Sequence, residues 1–133
     1  MARGISNRKI DVAMQLVAAL NTRSSRRVSE LITPDCRFID NTGGTIEGAQ
    51  AIGAATERFF ELDPSFRLEI TGKTVRGDDA LLSGHSRSNE PSLNHDTLWR
   101  AKVRGKKISE FQSYGTQPVR LSQILAQPRQ LST

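Results

Sequence analysis

The hydrophobic period of this sequence changes near residue 65, and that change constrains its fold more than any other feature. Between Ile10 and Leu20 the apolar residues recur every three or four positions, which is the spacing of one face of an α-helix. From Phe66 onward apolar and polar residues alternate, which is the spacing of a strand with one buried face. Helices followed by a meander of strands predict an α+β domain whose helices cover one side of an antiparallel sheet.

Turn-forming and helix-breaking residues mark the ends of the individual elements. A second helix is predicted from Ser24 or Ser25 to Thr33-Pro34, because the residue before a proline is driven out of helical geometry. A third helix is predicted between Gly48 and Asp63-Pro64 for the same reason. The predicted strands are Cys36–Asp40, Thr45–Glu47, one that starts at Phe66, Ala80–Arg87, Thr97–Val103 and Ile108–Tyr114.

The chain has 133 residues, a length that suits one domain. We expect residues 1–115 to be the folded unit and residues 116–133, which have weak periodicity, to be a peripheral tail. No apolar run near the N-terminus has the length of a signal peptide or a membrane span, so we expect a cytoplasmic protein without a membrane partner. Cys36 is the only cysteine, which excludes an internal disulfide. The chain has two histidines, and together with this one cysteine they form no recognised metal-ligand set. We therefore expect neither a metal nor another cofactor.

The net charge of +5 raises the question of a nucleic-acid partner. The basic residues form separate local clusters, aromatic residues are scarce, and no helix carries a base-reading pattern. We therefore interpret the charge as solvated surface and do not expect nucleic acid to bind. Binding through the basic turn Arg104–Lys107 is the weaker alternative.

Four short segments follow one another in a recognisable order. They are Val17–Asn21 at the end of the first helix, Leu31–Asp40 leading into the first strand, Glu47–Ile52 at the start of the third helix, and Gly105–Ile108 with Tyr114 at the last strand. In this order the chain resembles the SnoaL-like polyketide cyclase and ketosteroid-isomerase-like branch of the nuclear-transport-factor-2-like superfamily. The resemblance implies a cone-shaped curved sheet whose open end holds a small hydrophobic molecule, and a homodimer.

This resemblance leaves the activity open, because the fold hosts isomerases, cyclases, epoxide hydrolases, dehydratases and proteins without catalysis. The first hypothesis is a cofactor-independent isomerase or lyase that removes a proton from a small hydrophobic carbonyl compound. The second is a ligand-binding or dimerisation module of the same fold that catalyses nothing.

Asp40 is the candidate general base. Strand alternation puts it on the same face as Cys36 and Phe38, where burial would raise the pKa of its carboxyl group and suit it to take a proton near neutral pH. The resemblance implies the same role, since ketosteroid-isomerase-like members use the aspartate that ends this strand. An equally good interpretation is that Asp40 starts the turn at residues 41–44 through a bond from its side chain to the backbone.

An isomerase of this type also needs a hydrogen-bond donor for the enolate oxygen. The resemblance puts Leu16 where ketosteroid-isomerase-like members carry a tyrosine, and their second acid within two residues of Asp96. Alternation places Asp96 and Trp99 on opposite faces of the strand, so a bulge would have to turn Asp96 inward. His85 and Tyr114 are further candidates, although a solvent-facing position fits His85 better.

Glu110 and Gln112 share the parity of Ile108 and Tyr114 on the last strand, and such a mixed face suits the lining of a pocket. Gln112 is thereby another candidate donor. The resemblance adds that SnoaL-like cyclases take an acid from this strand, for which Glu110 is a loose substitute. The alternatives are an exposed strand face or a dimer interface packed around Tyr114.

The large apolar residues are candidates for the wall of a ligand pocket. Phe38, Phe59 and Trp99 recur at the period of their elements, which favours the core over a dedicated ligand platform. Leu16 joins them as a candidate ligand contact on the first helix.

Overall fold

The computed structural model describes residues 8–115, which form three α-helices on one curved sheet of six strands. The elements are α1 (Arg8–Asn21), α2 (Ser25–Leu31), β1 (Ile32–Ile39), β2 (Thr45–Glu47), α3 (Ala49–Leu62), β3 (Arg67–Arg76), β4 (Asp79–Arg87), a 3₁₀ turn (Pro91–Leu93), β5 (His95–Arg104) and β6 (Lys107–Gly115). The predicted α+β class is confirmed. The predicted tail at residues 116–133 lies outside the described part of the chain.

The sheet has the strand order β2-β1-β6-β5-β4-β3. Neighbouring strands are antiparallel except β1 and β6, which are parallel, so the sheet is mostly antiparallel. The pairing is interrupted by register shifts in the β1–β6, β3–β4 and β5–β6 ladders. Such irregularities bend strands and increase their twist, which fits a sheet that curves around the helices without closing into a barrel.

Strand β1 begins at Ile32, four residues before the predicted start at Cys36. The sequence predicts a strand only after Pro34. In the structure, Ile32 and then Arg37 are the residues of β1 that pair with β6, so the proline lies where this ladder is interrupted. Proline has no backbone N–H to donate, but at this position no hydrogen bond between the strands is lost. Strand β5 likewise starts at His95, two residues before the predicted Thr97.

The hydrophobic core fills one end of the space between helices and sheet. Ala80, Ala101, Val103 and Ile108 lie near the β5–β6 turn and are at most 6 % exposed. They pack with the buried face of α1 in one cluster. At this end the helices pack directly on the sheet, and the open space between them lies toward the other end. Among residues 8–115, no helix has the length and apolar character needed to cross a membrane.

Candidate functional site

A cavity of about 140 Å³ lies between the helices and the inner face of the sheet. Its wall is mostly apolar and includes the predicted ligand contacts Leu16, Phe38, Phe59 and Trp99. A cavity of about 150 Å³ with similar lining takes up benzene in another protein. The volume therefore suits a ligand, or the buried part of a ligand, about the size of one aromatic ring.

Asp40 lies in the wall of this cavity and is 2 % exposed. It directly follows β1 and joins Cys36 and Phe38 on the inner side, as alternation predicts. Its Oδ1 accepts hydrogen bonds from the Thr42 N–H (2.9 Å), the Thr42 hydroxyl (2.8 Å) and the Gly44 N–H (2.9 Å). The two sequence interpretations thus describe one side chain, because Asp40 both organises the turn and faces the cavity.

The turn after Asp40 is fixed by further hydrogen bonds. The Asp40 N–H donates to the Gly44 carbonyl (2.9 Å), and the Gly43 N–H donates to the Asp40 carbonyl (3.1 Å). Gly43 has a φ of 90°, a conformation that other residues rarely adopt. The Ser113 hydroxyl on β6 donates to Asn41 Oδ1 (2.6 Å), and both residues line the cavity. The carboxylate is consequently held in place by its own turn and by a neighbouring strand.

Three more hydroxyl groups line the cavity but point their hydrogens into the protein. Thr56 donates to a backbone carbonyl one turn earlier in α3 (2.7 Å), and Ser86 donates to a carbonyl of the 3₁₀ turn (2.5 Å). Thr97 donates to a carbonyl of β6. Because a hydroxyl has a single hydrogen, these groups can offer a ligand only their lone pairs.

His95 also lines the cavity, although it is not among the site residues predicted from the sequence. Its Nδ1 lies 3.0 Å from the backbone carbonyl oxygen of Asp96. A carbonyl can only accept, so Nδ1 carries the hydrogen and a neutral ring presents Nε2 as an acceptor. Strand alternation predicts this position, because His95 and Trp99 are four residues apart on one strand and so share a face.

Asp96 and His85, two predicted site residues, lie on the outer face of the sheet. They are paired across β4 and β5, and the Asp96 carboxylate contacts His85 Nδ1. The Asp96 side chain is 84 % exposed. The bulge that would turn Asp96 inward does not occur, since the β5 register is continuous from His95 to Lys102. Neither residue borders the cavity.

Glu110, Gln112 and Tyr114 also lie on the outer face, where they surround Arg100. The guanidinium donates to the Glu110 carboxylate, to Gln112 Oε1 (3.0 Å) and to the Tyr114 hydroxyl (3.4 Å). Burial opposes the charge of Arg100, but its hydrogen bonds to Glu110 and Tyr114 outweigh that effect and raise its pKa. The expectation that Glu110 and Gln112 line the pocket is therefore corrected.

The physical reason for this correction is a bulge in β6. Lys102 pairs with Glu110 but Val103 pairs with Ile108, so Ser109 is an extra residue on this strand. One inserted residue reverses the parity on either side of it. Ile108 thus points inward, fully buried, while Glu110 points outward.

Cys36 contributes a thiol to the cavity wall and is 1 % exposed. Burial raises the pKa of this thiol to about 12, and the negative charge of Asp35 adds to the shift. Nucleophilic chemistry needs the thiolate, which is scarce near neutral pH at such a pKa. Cys36 therefore acts as a small apolar part of the wall.

Comparison with known proteins places these observations in a wider group. The model of the SnoaL-like domain family matches residues 13–111. A candidate polyketide cyclase from Sinorhizobium meliloti superposes with a TM-score of 0.70 at 19% identity, over 77% of this chain and 93% of that chain. The search of curated proteins gave no match.

Two further solved structures have the same fold. A LEH-like epoxide hydrolase from M. tuberculosis gives a TM-score of 0.73 at 14% identity, over 83% of this chain and 84% of that chain. A candidate ketosteroid isomerase from Kribbella flavida gives a TM-score of 0.67 at 17% identity, over 86% of this chain and 82% of that chain. At such identities the similarity establishes a common fold and leaves the activity to the residues of the site.

Proposed function

The chain belongs to the SnoaL-like domain family, and on that premise we propose that its cavity binds a small hydrophobic molecule on which Asp40 acts as a general base. The observation that carries the proposal is the position of the Asp40 carboxylate, which is 2 % exposed and set in a mostly apolar wall. Three donors converge on its Oδ1, an arrangement that suits an ionised carboxylate and fixes its direction. A base must be held within reach of the proton that it removes.

The reaction that fits this site is proton transfer next to a carbonyl group. The proton of the α-carbon passes to the Asp40 carboxylate, and the electron pair of the broken C–H bond moves toward the carbonyl oxygen. Return of a proton to carbon restores the ketone or gives its isomer. An aspartate is the base in ketosteroid isomerase, and one structural neighbour is a candidate enzyme of that name.

We predict that the protein accelerates hydrogen exchange in acetophenone, a small ketone with exchangeable methyl protons. In D₂O those protons should be replaced by deuterium faster than in buffer, because the bound ketone lies beside a fixed base. Loss of the methyl signal in ¹H NMR measures the rate. α-Methylstyrene has the same shape but no carbonyl and should slow the exchange by competing for the cavity. An exchange rate equal to that in buffer, with the ketone demonstrably bound, would contradict catalysis by this site.

Binding without catalysis is the second candidate function. It is favoured by the inward donation of the Thr56, Ser86 and Thr97 hydroxyls, which leaves few donors for an enolate oxygen. It is also favoured by Leu16, an apolar residue in the cavity wall where a tyrosine would serve that purpose. The exchange assay separates the candidates, because a binding module would take up acetophenone and leave its protons in place.

The outer face of the sheet is the proposed contact with a second copy of the chain. Leu98 and Tyr114 are 42 % and 41 % exposed and lie side by side on β5 and β6. Nearby, Arg37 and Arg100 make ion pairs with Glu47, Asp79 and Glu110, so both signs of charge occur on this face. A two-fold axis brings such a patch against itself, apolar to apolar and with opposite charges within reach.

Sedimentation equilibrium should therefore find a dimer, and Leu98→Lys should raise its dissociation constant by about tenfold or more. The reason is that each interface would bury two unpaired ammonium groups, one from each copy. Leu62→Lys is the matched control, since Leu62 is 59 % exposed at the end of α3, away from this sheet face. A monomeric wild type, or equal effects of the two variants, would refute the interface.

A further inference from the structure

Trp99 is the only tryptophan of the chain and the largest side chain in the cavity wall. It lies on β5 with the parity of His95 and Thr97, and all three residues face the cavity. Trp99 is 4 % exposed. Its indole ring thus has an apolar body to line the cavity and one N–H group that can only donate.

The indole N–H of Trp99 has no hydrogen-bond acceptor among residues 8–115. Buried tryptophan N–H groups usually have a partner, because an unpaired buried donor is costly. Of the side-chain nitrogens and oxygens in this part of the chain, the one that is fully enclosed without a partner is Arg58 Nε. The Trp99 nitrogen is not among these fully enclosed atoms, and the space that the Trp99 side chain borders is the cavity.

The hydroxyl and imidazole groups of the wall do not supply an equivalent donor, and the Asn41 amide already takes part in hydrogen bonding within the protein. The hydroxyls of Thr56, Ser86, Thr97 and Ser113 give their hydrogens to protein acceptors. His95 donates from Nδ1 to a backbone carbonyl, so its Nε2 becomes a donor only when the ring is protonated. The indole N–H of Trp99 keeps its hydrogen at every pH at which the protein is folded.

The register of the sheet places Trp99 opposite Asp40 across a single strand. Ile39 is beside Gln112, and Ser113 is beside Trp99, so Asp40 and Trp99 flank β6 at one level. Two strand spacings separate their backbones by roughly 10 Å. Both residues line the cavity, as does Ser113 on the strand between them, so a ligand about as wide as a ring could contact Asp40 and Trp99 together.

We propose that the indole N–H of Trp99 donates a hydrogen bond to an oxygen atom of the ligand. The ligand is then an apolar molecule with a carbonyl oxygen at the Trp99 side and its acidic carbon at the Asp40 side. This inference rests on the proposed function of the cavity and adds the group that recognises the oxygen. When Asp40 removes the proton, charge builds on that oxygen, and a donor already aimed at it stabilises the enolate.

The test uses wild-type protein labelled with ¹⁵N and the pair acetophenone and α-methylstyrene. Because Trp99 is the only tryptophan, its indole N–H gives a single tryptophan side-chain peak in a ¹H–¹⁵N correlation spectrum. Acetophenone should move the indole proton downfield, and α-methylstyrene should not, since it fills the same space without an acceptor. Equal shifts with both compounds would overturn the hydrogen bond.

Isothermal titration of Trp99→Phe gives a second measurement. The wild type should prefer acetophenone over α-methylstyrene by roughly three- to tenfold, the range of one net hydrogen bond. The phenylalanine variant should lose this preference or reverse it, because the lost ring volume affects both compounds and the ketone oxygen would then be buried without a donor. A preserved preference would overturn the inference.

The outcomes also separate this inference from the proposed base. Peaks of other cavity residues that shift on addition of acetophenone, while the indole peak stays in place, refute Trp99 as the donor and leave binding and Asp40 intact. No shift of any cavity residue with either compound refutes the proposed ligand class, and the donor with it.

Discussion

Replacing Asp40 with asparagine is expected to lower the rate of acetophenone exchange by a factor of about one hundred or more, while the ketone binds within about threefold of wild type. Asparagine has nearly the same shape, and its carbonyl oxygen can still accept from the Thr42 and Gly44 N–H groups. What it lacks is a lone pair basic enough to take a proton from carbon. The loss should therefore fall on the chemical step and spare ligand binding.

Asp35→Asn is the matched control for this substitution. Asp35 belongs to the same strand, but its side chain is 70 % exposed and pairs with Arg104 away from the cavity. The Thr33 hydroxyl and then Arg104 lower the pKa of the Asp35 carboxyl group, so its charge state is set by this surface cluster. Exchange should continue at the wild-type rate in Asp35→Asn. Equal rates for the wild type and Asp40→Asn would dismiss Asp40 as the base.

Asp40→Asn is also expected to be less stable than the wild type. Hydrogen bonds to a charged acceptor are stronger than those to a neutral one, and Asp40 accepts three at Oδ1. Urea unfolding is expected to show a loss of about 1–2 kcal/mol in the free energy of unfolding. A variant that is folded in the assay buffer and inactive separates catalysis from folding.

Much of the site could be anticipated because alternation is reliable where a strand is regular. Cys36, Phe38 and Asp40 follow one another at period two at the end of β1, and the structure puts all three in the cavity wall. The same rule put Asp96 on the side away from Trp99 and implied that His95 faces inward. His95 was not among the predicted site residues, although it has the same parity as Trp99 on β5.

The rest could not be predicted because it depends on pairing between distant parts of the chain. Ser109 is recognised as an extra residue only when β6 is aligned with its partner strand β5. This one residue places Glu110 and Gln112 on the outer face. The parallel pairing of β1 with β6 likewise joins segments about seventy residues apart, as in the Ile39–Gln112 pair. Period and propensity are local quantities, so they cannot specify these partners.

Strands β3 and β4 are in close contact at Gly84, which has no room for a side chain. A Cβ atom at Gly84 would lie 1.9 Å from the carbonyl oxygen of Glu69 and 3.0 Å from the Cα of Ile70. These are backbone atoms of the partner strand, directly before the register shift that leaves Thr71 unpaired. Ser86 and Leu68, a short way along the same two strands, line the cavity.

Gly84→Ala is therefore expected to lower the free energy of unfolding by about 3 kcal/mol or more, because backbone atoms can make room only if the two strands separate. Gly72→Ala is the matched control on the other side of the same shift. Its Cβ would meet the Ser83 hydroxyl at 2.4 Å, and a hydroxyl can rotate away. That variant should stay within about 1 kcal/mol of wild type in urea unfolding followed by circular dichroism. Comparable stability of the two variants would mean that the sheet tolerates a side chain at Gly84.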